Sequence, residues 1–139
     1  MNDYKFSDLF VGMKESFKVT ITEDMQEGFL NITKDENPMH IDDKYAIQNG
    51  YEGKIVYGLL TSSFFSTLAG VYLPGRKCLF HECNVAFPHP VYIGDELNIV
   101  GEIKELDEIF KRVIIKAQIT NQEGKKVARG KLVVGVRED

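Results

Sequence analysis

Residues 57–73 read YGLLTSSFFSTLAGVYL, a stretch without a single charged side chain. From Gly58 to Ala69 the large apolar residues Leu59, Leu60, Phe64, Phe65 and Leu68 crowd so much of a helical surface that the helix must be buried. Gly70 and Pro74-Gly75 punctuate its end. Every later segment reads as strand: Lys77–Phe87, Glu96–Leu106, Arg112–Asn121 and Lys125–Arg137. Val113, Ile115, Ala117 and Ile119 alternate with Arg112, Lys116 and Gln118, the pattern of a sheet with one wet face.

Upstream of the apolar run, Lys14–Thr22 reads as an opening strand, and Thr22-Glu23-Asp24 supplies a helix start with Thr22 as N-cap. Met25, Phe29, Leu30 and Ile32 give that helix one apolar side. It must end near Asp35, because Asn37 precedes Pro38 and is pushed out of the helical region. Asp35 to Ile41 is then an irregular crossing. Asp42 caps a second short helix through about Gln48, which Asn49-Gly50 stops, and Tyr51–Val56 is loop. With 139 residues and no repeat or linker, the whole chain, 1–139, is expected to be one domain. A strand, a helical excursion, one long apolar helix and four successive strands make an α+β pattern. It predicts an antiparallel sheet wrapped around one long central helix, the hot-dog arrangement.

The chain carries 17 Lys and Arg against 21 Asp and Glu, net −4, with the basic residues dispersed; nucleic acid is therefore not an expected partner. Its start is polar, and no run approaches the ~18 apolar residues a membrane span needs, so no membrane association and a cytoplasmic location are expected. Cys78 and Cys83 lie in one predicted strand, too far apart for a disulfide. Strict alternation would send Cys78 to one face and His81 with Cys83 to the other, which argues against a metal site.

Of the three histidines, His81 lies inside a strand and His89 in a proline-flanked turn; only His40 has carboxylates close by in sequence, in Asp35-Glu36-Asn37-Pro38-Met39-His40. A loop stiffened by Pro38 and anchored by flanking helices suits a pre-positioned acid/base pair. Asp35 follows a helix C-terminus, where the dipole disfavours negative charge. Asp35 and Asn37 are equally the residues a helix-stopping turn uses, so from the residues alone the two readings stand even. At the head of the apolar helix, the Gly58 N–H lies in the first turn without an intrahelical partner, a ready donor to an oxyanion. Gly58, Ser62 and Ser66 recur every four residues as a small, weakly polar stripe, which close packing would also explain.

Together these residues resemble the (R)-specific enoyl-CoA hydratases of the MaoC-like dehydratase family. The family's Asp-x-Asn-Pro-x-His run stands at Asp35–His40, followed by Ile41-Asp42 and Tyr45-Ala46. Ile55-Val56-Tyr57-Gly58, Leu73-Pro74-Gly75 and Phe87-Pro88-His89-Pro90-Val91 with Gly94-Asp95 are similar to its later motifs, so the likeness runs from about Thr22 to Asp95. Tyr57 departs from it, since close relatives often have His there.

The resemblance implies reversible addition of water to a trans-2-enoyl thioester, giving the (R)-3-hydroxyacyl thioester. Asp35 and His40 would hold the water and move its protons, and the Gly58 N–H would bind the thioester oxygen. Asn37, Tyr57, Ser62 and Ser66 would contact or support the substrate, and Ala69 would limit the acyl pocket. The resemblance also implies a CoA thioester, or possibly an acyl-carrier-protein thioester, as substrate, a homodimer, and no metal or redox cofactor. Two rivals are a hot-dog thioesterase, disfavoured because the apolar helix holds no acidic residue, and a non-catalytic thioester-binding module.

Overall fold

The computed structural model describes residues 1–138. After a 3-10 turn at Phe6–Asp8 come β1 (Lys14–Thr20), α1 (Glu23–Thr33), a 3-10 turn at Pro38–His40, α2 (Asp43–Gln48) and α3 (Gly58–Thr67). A π-helical turn at Leu68–Tyr72 prolongs α3. Four strands close the chain: β2 (Cys78–Ala86), β3 (Glu96–Asp107), β4 (Arg112–Thr120) and β5 (Lys126–Val136). All five strands form one antiparallel sheet in the order β1-β3-β4-β5-β2. Among the described residues no helix is long and apolar enough to cross a membrane.

The sheet curls around α3 as the α+β hot-dog pattern requires. Phe65, Leu68 and Ala69 are fully buried against Ile99, Ile103, Val113, Ile115, Leu132 and Val134. Small residues let helix and sheet close on each other: a Cβ on Gly101 would stand 2.8 Å from Leu68 Cδ2, and one on Gly130 would stand 3.1 Å from the Phe65 ring. β4 buries Val113, Ile115, Ala117 and Ile119 in strict alternation, leaving the other face wet.

Three expectations are corrected. Ile32 does not join the apolar side of α1; it is 81% exposed, and that helix instead buries Gln26. The apolar helix is not wholly buried either, since Leu59 is 68% exposed and Ser63 and Ser66 lie on the same open side. Third, the alternation in β2 is broken: Phe80 pairs with Val134 and Glu82 with Val133, so His81 is an extra, bulged residue. The bulge resets the parity of the strand. Cys78 opposite Val136 and Cys83 opposite Leu132 therefore share the core-facing side, and His81 sits over Gly135 on the other.

A candidate acid/base cleft at the head of α3

The loop bearing Asp35 and His40 is fixed by local polar bonds. α1 ends at Lys34 in the left-handed region (φ 61°), whose N–H donates to the Leu30 carbonyl at 2.8 Å. Asp35 Oδ1 then accepts the Asn37 N–H at 3.1 Å, and Asn37 Oδ1 accepts the Met39 N–H at 3.0 Å. The second bond caps the short turn that Pro38 opens and His40 closes. Asp42 caps α2 in the same way, so the loop is held at both ends.

Gln26 ties this loop to the run that leads into α3. Its amide donates to the carbonyls of His40 (3.0 Å) and Ile55 (3.1 Å), and its oxygen accepts the Tyr57 N–H at 3.4 Å. Nothing in the sequence had singled it out; the available signal was a long polar residue one position from the apolar side of an amphipathic helix. The Ile55 N–H adds a 2.9 Å bond to the Met39 carbonyl. The β2–β3 connection joins from the other side, with the Val56 N–H on the Val91 carbonyl at 2.8 Å. Asp95 fixes that connection by accepting from the Tyr92 N–H and from Gln122 Nε2.

His40 Nδ1 lies 2.8 Å from the Ile55 carbonyl. A carbonyl only accepts, so Nδ1 carries the proton and Nε2 is the nitrogen left for chemistry in the neutral ring. The imidazole stacks on Tyr57, with ring centroids 4.2 Å apart, and Phe29 packs against Tyr57 at 4.9 Å. Tyr57 is 2% exposed and its hydroxyl donates to the backbone carbonyl of Asp35. Burial, and after it the negative charges of Asp35 and Glu36, push the Tyr57 phenol above its ordinary pKa.

A cleft of about 340 Å³ opens beside this stack. His40, Gly58 and Thr61 line it together with Ile55, Val56, Phe87, Val91 and Val127. The Gly58 N–H has no acceptor among the described residues, and the Phe87 ring passes 3.4 Å from where a Gly58 Cβ would stand. The structure thus brings His40 and Gly58 to one cavity. Asp35 is exposed and does not line this cleft: its carboxylate accepts the Asn37 N–H, and only its backbone carbonyl meets the group, as acceptor of the Tyr57 hydroxyl; Asn37 is exposed and its side chain serves the turn. Ser62 donates to the Leu59 carbonyl, Ser66 faces outward, and neither lines this cleft in the single chain. Ala69 is sealed in the core. His89, read from sequence as a turn residue, stands at the mouth of the same cleft.

Among the described residues no cluster of three or more His, Cys, Asp or Glu could hold a metal ion. Cys78 is a poor nucleophile, since burial pushes its thiol up to about 11; burial also raises that of Cys83.

Comparison with known proteins gives a consistent result. Residues 11–126 match the family model described as MaoC like domain. An (R)-specific enoyl-CoA hydratase of Aeromonas caviae is 33% identical over 106 residues, 76% of this chain and 79% of that protein. A protein of the same description from Rhodospirillum rubrum is 30% identical over 131 residues, covering 94% and 90%. In three dimensions, an unliganded R-hydratase from Pseudomonas aeruginosa superposes with a TM-score of 0.92 at 28% identity, over 99% of this chain and 88% of that one.

Proposed function

This chain belongs to the MaoC-like domain family, and from that premise we propose that it is a hydratase/dehydratase interconverting trans-2-enoyl-CoA and (R)-3-hydroxyacyl-CoA. The observation that carries the chemistry is the commitment of His40 Nδ1 to the Ile55 carbonyl, which leaves Nε2 free on a residue sharing a cleft with the unpartnered Gly58 N–H. In the hydration direction, His40 and Asp35, whose carboxylate must turn from the Asn37 N–H toward the cleft, act as one unit on a single water: one accepts its proton while its oxygen bonds to C3. The C2=C3 electron pair moves toward the thioester, whose oxygen gains enolate charge and is held by the Gly58 N–H. As that pair returns, C2 takes the proton and the (R)-3-hydroxyacyl thioester is complete. Asn37, Ser62, Ser66 and Tyr57 support the loop and helix that present these groups.

The substrate is an acyl thioester carried by CoA, with an acyl-carrier-protein thioester as the variant to test beside it. The working form is a homodimer. β2 lies at an edge of the sheet with one side unpaired, and Leu79 and Phe80 on it, with Leu59 on α3, are exposed apolar groups that a second copy would cover.

Asp35→Asn and His40→Gln are each expected to lower hydration of a four-carbon enoyl-CoA by about 10² or more while far-UV circular dichroism stays native. Near-full rates in both variants would defeat the assignment. Chiral analysis of the hydroxy product checks the handedness.

A further inference from the structure

Among the described residues one buried side-chain polar atom lacks a partner, the hydroxyl oxygen of Thr61, in a residue only 1% exposed. Buried hydroxyls are almost always hydrogen-bonded, because burial strips them of water without replacement. A helical threonine ordinarily meets this need by donating to the carbonyl four residues back, here that of Tyr57, yet that bond is not made. Thr61 lines the same cleft as His40 and Gly58, whose walls also include the apolar Val56, Val91, Val127 and Phe87 and the polar Tyr51 and His89.

Gly58 and Thr61 are three residues apart and so share a face of α3. Helical side chains lean toward the N-terminus over the preceding turn, which carries the Thr61 hydroxyl toward the Gly58 amide. As it stands the hydroxyl oxygen is sealed from solvent, and a change of χ1 rotamer, which exchanges the positions of hydroxyl and methyl, is the motion required to bring the O–H to the cleft. In that rotamer the wall offers two donors, a backbone N–H and a side-chain O–H, for neither of which the described residues supply an acceptor.

We infer that Thr61 is a further catalytic residue, whose hydroxyl donates a second hydrogen bond to the thioester oxygen alongside the Gly58 N–H. This rests on the hydratase reading. No proton leaves Thr61; its O–H stays intact while negative charge builds on the thioester oxygen as water adds to C3 and fades as C2 is protonated. Because the bond strengthens with that charge, it acts on the rate more than on substrate binding.

The test compares the wild-type chain, Thr61→Val, Thr61→Ser and His40→Gln in hydration of a four-carbon enoyl-CoA, with thermal unfolding of each. Thr61→Val, which keeps the shape and removes the hydroxyl, should lose about 10- to 100-fold in kcat with KM within about threefold. Thr61→Ser should restore most of the rate. The Tm of Thr61→Val should equal or exceed that of the wild type, since the valine removes an unsatisfied group. A wild-type rate in Thr61→Val overturns the inference, as does a fall in its Tm, which would place the hydroxyl on the Tyr57 carbonyl as a structural bond. If His40→Gln is impaired while Thr61→Val is not, this inference alone fails; if the wild-type chain does not hydrate the substrate, the hydratase reading fails and takes this one with it.

Discussion

Gln26 bonds three backbone groups from two separate loops, the carbonyls of His40 and Ile55 and the amide of Tyr57. Replacing it with leucine keeps the helix and most of the volume but leaves those groups buried and partly unpaired, at a cost of about 1–3 kcal/mol. For a chain of this length that corresponds to a fall in Tm of roughly 2–4 °C per kcal/mol, measurable by calorimetry. Hydration should fall as well, because the His40 carbonyl and the entry to α3 would no longer be tied together; an unchanged Tm and rate would show that Gln26 positions nothing. At this scale the sequence was only partly legible. Asp35, His40 and Gly58 stand out because their types and spacing advertise chemistry. Gln26 and Thr61 do not, because their importance comes from being buried with, or without, a hydrogen-bond partner, and burial belongs to the folded chain.

At the level of elements, periodicity read well wherever one face of a strand or helix meets the core. β3, β4 and β5 begin and end within a residue or so of their expected limits, and Thr22 and Asp42 cap their helices through side-chain oxygens. It failed where one residue changes the phase. The bulge at His81 has no marker in the residue types of β2, and the π-helical turn carries the chain past Gly70, where a stop was expected. The exposed Leu59 likewise shows that an apolar residue states a preference for burial without naming what buries it. Two substitutions probe the elements separately. Gly101→Ala would push a Cβ to 2.8 Å from Leu68 and 3.1 Å from Ile115, both fully buried, and should destabilise by about 1–3 kcal/mol in urea unfolding. Lys34→Gly relieves the left-handed C-cap of α1, where a lysine side chain is strained, and should stabilise by several tenths to about 1 kcal/mol.

For the whole molecule, the proposed dimer would cover the exposed apolar residues on β2 and α3. Analytical ultracentrifugation at micromolar concentration should then give about twice the 15.8 kDa chain mass, with Tm rising as protein concentration rises. Leu79→Asp, on the outward side of β2, should shift the equilibrium toward single chains. A wild-type mass of one chain would remove the dimer from the proposal. The two borders of the sheet are not alike: at β1, Phe17 is stacked by Tyr72 at 4.8 Å, and Glu15 receives bonds from Asn2 and Tyr4. β1 and β2 each leave one side of their backbone unpaired, and it is β2 that carries the exposed Leu79 and Phe80. In the proposed dimer a two-fold contact along β2 would use the same border of both copies, so that seam would be spent on both chains at once and pairing through it would close rather than propagate.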